Sequence, residues 1–157
     1  MDAPDKLLIR FLNEDDGTGK LQVRAHCNGF SGEGSAWFST DELDEFASAL
    51  AVFPISEENP PAIRSGFGRQ DGSGELEQEH LSLRVYPIDR TGHLGVQIRL
   101  ATEVWAQTRP ESQHSVQLEI PTSYEPLAQF SRQLKALLDG SVKEAILEAD
   151  LSSLPTS

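Results

Sequence analysis

The most informative stretch of the sequence is Leu81-Ser82-Leu83-Arg84-Val85-Tyr86, in which apolar and polar residues alternate. Two later segments, Leu94–Leu100 and Val116–Ile120, repeat this period of two. Such a period places the apolar side chains of a strand on one face and the polar side chains on the other. Sheets with one dry and one wet face are usually antiparallel, so these segments predict an antiparallel sheet.

The alternation also occurs earlier in the chain, where Gly29–Gly34 is interpreted as a glycine-rich turn between strands. Most neighbouring strands have no helix between them, which argues against a doubly wound α/β fold. We therefore predict an α+β domain whose antiparallel sheet has about six or seven strands. The four earlier strands are Leu7–Leu12, Leu21–Cys27, Ser35–Phe38 and the weaker Ala62–Arg69.

Helical periodicity begins at two places that carry capping boxes. Ser39 and Glu42 form the first box, and Thr122 and Glu125 form the second. Phe53-Pro54 ends the first helix and Gly140 the second, while a short third helix is predicted from Ser141. We expect all three helices to pack on one face of the sheet, in one domain spanning residues 1–150 with a disordered tail at 151–157.

The chain is strongly acidic: its 157 residues include 13 Lys and Arg against 25 Asp and Glu, for a net charge of −12. This charge repels nucleic acids and anionic membranes, so neither is an expected partner. It would attract a basic protein, although solubility alone also explains it. A single cysteine, Cys27, and the lack of a signal peptide or a long apolar run predict a cytoplasmic protein.

One region is a candidate acidic docking surface, because no lysine or arginine occurs between Ala25 and Ile63. Trp37 and Phe38 are consecutive in a strand and must face opposite ways, so one of them is a candidate exposed anchor. The alternative is an ordinary solvated helix face whose acids complement the helix dipole. The candidate partner-binding residues are Glu33, Trp37, Asp41, Glu42, Asp44, Glu45, Glu57 and Glu58.

A second candidate contact surface is the wet face of the sheet. Arg24, Arg84, Tyr86 and Arg99 fall on that face by parity, as does Arg10. Arginine and tyrosine are common anchors of protein interfaces. The alternative is cross-strand pairing of these arginines with Glu79 and Glu119, which would leave no free recognition surface.

Catalytic and metal-binding patterns are weak throughout. The four histidines (His26, His80, His93 and His114) lack metal-ligand spacing, and the glycine-rich segment lacks the lysine of a phosphate-binding loop. We expect a non-catalytic protein without cofactor or metal. Two alternatives stay open: a ligand-binding or enzymatic domain with a pocket near Arg84, Arg99 and the histidines, and a homo-oligomeric structural subunit.

Several segments carry a resemblance that covers most of the chain. These are Gly29-Phe30-Ser31-Gly32-Glu33-Gly34-Ser35-Ala36-Trp37-Phe38, the helix ending in Phe53-Pro54, Leu83-Arg84-Val85-Tyr86-Pro87, and Gly92-His93-Leu94-Gly95-Val96. In these segments the chain resembles immunity proteins of bacterial polymorphic toxin systems, of the kind related to the wall-associated toxin immunity family, or otherwise a bacterial family of unknown function. The resemblance implies an inhibitor that binds and neutralises a toxin domain, often a basic nuclease, and it implies no catalytic residues.

Overall fold

The computed structural model describes residues 5–150, so the predicted disordered tail at 151–157 lies outside the described residues. The chain first forms β1 (Lys6–Asn13), β2 (Thr18–Cys27), β3 (Phe30–Ser39) and α1 (Thr40–Leu50). It continues with β4 (Ala62–Gly68), β5 (Leu76–Pro87), β6 (Leu94–Ala101), a 3-10 turn (Pro110–Ser112) and β7 (Ser115–Thr122). It ends with α2 (Tyr124–Leu138) and β8 (Ala145–Glu148).

The strands form two antiparallel sheets of four. Sheet A has the order β3-β2-β1-β8, and sheet B has the order β4-β5-β6-β7. The predicted α+β class and antiparallel pairing are therefore confirmed, whereas the prediction of one sheet with about six or seven strands is wrong. The physical reason is that α1 separates β3 from β4, and each sheet covers its dry face with the dry face of the other sheet.

β3 crosses sheet B nearly at right angles to its strands. Val116, Leu100, Leu81 and Ser65 form one cross-strand row of sheet B. A Cβ added at Gly32 would lie 2.3 Å from Val116 Cγ1, and one added at Gly34 would lie 3.3 Å from Leu100. Further along β3, the backbone carbonyl of Trp37 accepts a hydrogen bond from Ser65 Oγ at 2.6 Å. The two sheets therefore pack orthogonally, with β3 lying along this row.

The predicted glycine-rich turn is shorter than expected. The turn is Asn28-Gly29, where both residues have positive φ (54° and 83°), and Phe30 to Gly34 already belong to β3. The reason is steric, because Gly32 and Gly34 let the strand backbone approach sheet B closely.

The two helices lie antiparallel to each other and close one side of the sandwich. Lys135 Nζ in α2 lies 3.8 Å from Asp44 Oδ1 in α1, and Ser131 Oγ donates a 2.5 Å hydrogen bond to the Ala47 carbonyl. Leu43 and Phe46 of α1 and Leu134 and Leu137 of α2 are buried in the same core as the sheets. The core predicted between one sheet and the helices thus lies between two sheets, with the helices at its side.

The first predicted capping box is confirmed. Ser39 Oγ accepts from the Glu42 backbone N–H at 3.1 Å, and the Ser39 N–H donates to Glu42 Oε1. The second, Thr122 with Glu125, is wrong, because the N-cap of α2 is Ser123 and it makes no side-chain cap bond. Thr122 is instead the last residue of β7 and pairs with Leu94, which turns its side chain into the core.

The predicted third helix is also wrong. Ala145–Glu148 forms β8, which pairs antiparallel with β1 through Leu7 with Leu147 and Ile9 with Ala145. β1 has a free edge on this side, and pairing with β8 satisfies its backbone groups. A four-residue element is too short for its apolar spacing to distinguish a helix from a strand.

Candidate protein-docking surface

The turn between β1 and β2 meets the start of α1. The Thr40 backbone N–H donates to the Gly17 carbonyl at 2.9 Å, and this contact fixes the helix start against the turn. The turn carries three consecutive exposed acids, and α1 carries four in its first two turns. We call this group the acidic end; its members are Glu14, Asp15, Asp16, Asp41, Glu42, Asp44 and Glu45.

The carboxylates of the acidic end differ in how they are used within the fold. Hydrogen bonds from Thr18 lower the pKa of the Asp16 carboxyl, and Glu42 is occupied in the capping box. Asp44 lies near Lys135, whereas Asp41 and Glu45 have no ion pair with any of residues 5–150. The acidic end therefore keeps free negative charge for an external group.

Two exposed apolar side chains lie next to the acidic end, on the outer face of sheet A. Leu12 of β1, Lys20 of β2 and Trp37 of β3 form one cross-strand row. The side chain of Leu12 is 51% exposed and that of Trp37 is 54% exposed, whereas Phe38 is buried at 3%. Exposed apolar groups beside charged residues are typical of a protein interface.

The structure does not bring all the predicted partner-binding residues together. Trp37 and the four acids of α1 lie at or beside the acidic end. Glu33 lies on the outer face of sheet A, where its carboxylate is 3.1 Å from Arg24. Glu57 and Glu58 follow α1 and lie at its other end.

Glu57 and Glu58 line a surface groove of about 770 Å³. Phe53 also lines the groove; it is 76% exposed and packs edge-on against Tyr124 with ring centroids 4.8 Å apart. Asp89 also lines the groove, and its hydrogen bond with His93 lowers the pKa of the Asp89 carboxyl. This groove is thus a second place where acids border an exposed aromatic ring.

Sequence reasoning did not assign Leu12 or the turn acids Glu14, Asp15 and Asp16 to the candidate surface. The run of acids is visible in the sequence, but its position beside Asp41 depends on the tertiary contact between Thr40 and Gly17. The exposure of Leu12 also depends on tertiary structure. β8 pairs only with Lys6 to Ile9 of β1, so it does not reach Leu12.

The predicted arginine face is divided between the two sheets. Arg24 lies on the outer face of sheet A, whereas Arg84, Tyr86 and Arg99 lie on the outer face of sheet B, which points the opposite way. Within residues 5–150, the ion pairs of Arg84 and Arg99 with Glu79 and Glu119, which were the alternative to a recognition surface, do not form. Instead, Arg84 donates to Gln97 and Arg99 donates to Gln117, while the Tyr86 hydroxyl donates to Glu119.

The four histidines lie on separate elements. His26 contacts Asp5 at 3.1 Å, and His80 is buried beside Gln78 at 2.9 Å. His93 pairs with Asp89 in the turn before β6, and His114 is exposed before β7. A depression of about 320 Å³ lies beside Arg99. Among residues 5–150, no histidine lines this depression.

Among residues 5–150, no three His, Cys, Asp or Glu side chains are grouped as metal ligands would be. The helices of this part of the chain lack the length and apolar character that crossing a membrane requires.

Comparison with protein-family models found no match to the chain. Comparisons with curated proteins and with solved structures found no significant match either.

Proposed function

We propose that this protein is a non-catalytic protein-binding domain of the immunity type, acting in the cytoplasm to bind and neutralise a basic toxin domain. The observation that carries the proposal is the position of Leu12 and Trp37, two exposed apolar side chains, directly beside the acidic end. The resemblance of the sequence to toxin-immunity proteins agrees with it.

The charge of the acidic end suits fast association with a basic surface. Carboxylates that are not neutralised within the fold attract cationic groups over roughly a Debye length, about 8 Å at physiological salt. Asp41 and Glu45 are such carboxylates, and the overall charge of −12 acts in the same direction. Charge would set the association rate and the orientation of the partner.

The exposed side chains of Leu12 and Trp37 would supply the affinity that charge alone does not. Tryptophan is enriched among interface residues whose truncation weakens binding most. Trp37 is held in register by its pairing with Lys20, and its carbonyl is bonded to Ser65. Its side chain is therefore presented from a fixed strand, which reduces the entropy lost on binding.

The first experiment identifies the partner and its charge. The tagged protein is used to capture binding proteins from the native cytosol at low and at high salt, and these are identified by mass spectrometry. We expect one basic protein, captured in a larger amount at low salt than at high salt. A captured partner that is acidic, or one whose capture does not fall as salt is raised, would contradict the proposal.

The second experiment locates the contact with the purified partner. Replacing Glu14→Gln, Asp41→Asn and Glu45→Gln should slow association about tenfold at low salt. The matched control is Glu57→Gln, Glu58→Gln and Glu111→Gln, which removes the same charge elsewhere. Equal slowing by both triple variants would exclude a specific role for the acidic end.

Two tryptophans of similar exposure provide a test of the contact proposed for Trp37. Trp37→Ala should accelerate dissociation of the complex at least tenfold, because a central aromatic anchor is lost. Trp105 is 59% exposed but lies in the segment after β6, so Trp105→Ala should leave dissociation unchanged. Comparable effects of the two substitutions would argue against this surface.

A further inference from the structure

The outer face of sheet B carries three arginines in a compact arrangement. Arg64 of β4 pairs with Ser82 of β5, which in turn pairs with Arg99 of β6. Arg84 lies one row further along β5, where it pairs with Gln97. Neighbouring strands are about 4.8 Å apart, so the backbones at Arg64 and Arg99 are about 10 Å apart with Arg84 between them along the sheet. We call these three residues the arginine triad.

The arginine triad keeps its positive charge. Arg64, Arg84 and Arg99 are exposed, and none of them forms an ion pair with any of residues 5–150. On sheet A, by contrast, Arg10 pairs with Glu144 and Arg24 pairs with Glu33. The chain thus neutralises two arginines on one outer face and leaves three charged on the other.

Neutral side chains hold two of the three guanidinium groups in place. Arg84 donates to Gln97 Oε1 at 3.3 Å and lies 5.0 Å from the centre of the Tyr86 ring. Arg99 Nε donates to Gln117 Oε1 at 3.0 Å. An amide oxygen orients a guanidinium group without cancelling its charge, and each group keeps further N–H donors for an external acceptor.

Tyr86 engages the carboxylate that lies in the same cross-strand row as Arg84 and Gln97. The Tyr86 hydroxyl donates to Glu119, the residue opposite Gln97, and so occupies the Glu119 carboxylate. Burial and this hydrogen bond raise the pKa of the Tyr86 phenol far above its ordinary value. The Glu119 carboxylate is thus hydrogen-bonded to Tyr86 and forms no ion pair with Arg64, Arg84 or Arg99.

We propose that the arginine triad is a second docking surface, which binds an acidic segment of a partner polypeptide through its carboxylates. Guanidinium groups bind carboxylates through paired, charge-assisted hydrogen bonds. In an extended segment, side chains on one face recur about every 6.8 Å, a spacing that long arginine side chains 5 to 10 Å apart can follow.

A polypeptide fits better than a nucleic acid for reasons of charge. The net charge of −12 repels a polyanion that extends well beyond the triad. A short acidic segment brings its charge only to the triad, where three arginines without ion pairs lie close together, so the long-range repulsion costs less. This inference is independent of the function proposed for the acidic end, which has the opposite charge and a different position.

The test uses a fluorescent synthetic peptide of alternating Glu and Ser, with binding followed by anisotropy at low salt. We expect the unmodified protein to bind it and the variant Arg64→Gln with Arg99→Gln to bind about tenfold more weakly. The control Arg10→Gln with Arg24→Gln gives the same net charge but should bind like the unmodified protein. Thermal unfolding of both variants checks that neither has lost its fold.

Four results would overturn the proposal. Failure of the peptide to bind the unmodified protein is the first, and equal weakening by both double variants is the second. The third is binding of a single-stranded DNA oligonucleotide of equal charge as tightly as the peptide, since that would indicate general anion attraction. Concentration-dependent self-association lost in the Arg64→Gln, Arg99→Gln variant would assign the triad to a second copy of the chain instead.

Discussion

The side chain of Thr122 is buried at the end of β7, and its hydroxyl is the buried side-chain group without a hydrogen-bond partner among residues 5–150. Burying a hydroxyl without a partner costs about 1–3 kcal/mol in proteins. Thr122 is buried because the strand pairing places it opposite Leu94. Its branched side chain suits a strand, but its hydroxyl makes no hydrogen bond that would offset the cost of burial.

Replacing Thr122→Val should therefore stabilise the protein by about 1 kcal/mol, because valine keeps the branched shape and removes the unsatisfied hydroxyl. The free energy of unfolding in urea measures this difference. Thr18→Val is the control, since Thr18 Oγ1 donates to Asp16 at 2.6 Å, and this substitution should not stabilise. A loss of stability in Thr122→Val would mean that the hydroxyl is hydrogen-bonded after all.

At the scale of single elements, β3 depends on glycine for its path across sheet B. A Cβ at Gly32 would overlap the Val116 side chain, whereas one at Gly34 would meet Leu100 at a distance that a small shift relieves. Close packing of this kind tolerates additional methyl groups poorly. β3 can therefore cross the row from Val116 to Ser65 this closely only because position 32 has no side chain.

We expect Gly32→Ala to destabilise the protein by about 1–3 kcal/mol and Gly34→Ala to cost less. Adding Val116→Ala to Gly32→Ala should recover part of the loss, because it removes the methyl groups that the new Cβ meets. Urea unfolding of the two single variants and the double variant gives the coupling energy. Purely additive effects would contradict the close approach of β3 to β7.

The positions of several strands and helices were predicted correctly from the sequence, but their packing was not. Period-two alternation identified β2, β5, β6 and β7, and Ser39 with Glu42 identified the start of α1, because these signals are local. Alternation does not say what covers a dry face, so a second sheet and a pair of helices predict the same pattern. The division into two sheets, and the pairing of β8 with β1, depend on contacts between residues far apart in the chain.

The candidate surfaces were likewise predictable only where local sequence determines them. The acids of α1 and the exposure of one residue of the pair Trp37 and Phe38 were predictable from spacing alone. The position of Glu14, Asp15 and Asp16 beside α1 was not, since it needs the Thr40 contact. Arg64 was not predicted either, because its segment is interrupted by glycine and its outward position follows from pairing with Ser82.

For the whole molecule, the net charge of −12 has a measurable cost. Like charges repel one another more strongly in the compact folded state than in the expanded unfolded chain. Raising the salt concentration from about 20 mM to about 200 mM shortens the Debye length roughly threefold and screens this repulsion. The midpoint of thermal unfolding should therefore rise with added salt.

The variant with Glu14→Gln, Asp41→Asn and Glu45→Gln should respond less to salt, because three crowded negative charges are gone. Differential scanning calorimetry at several salt concentrations measures both responses. A midpoint that falls with salt would show that attractive ion pairs such as Arg10 with Glu144 outweigh the repulsion.

The pairing of β8 with β1 also determines when sheet A can be completed during translation. A ribosome adds about 5–20 residues per second, so the strand that completes sheet A is made roughly 7–27 s after β1. During that interval the apolar edge of the nascent β1–β2–β3 meander is open to other chains. The need for chaperones and the yield of recombinant protein should therefore depend on how quickly the ribosome reaches the residues of β8.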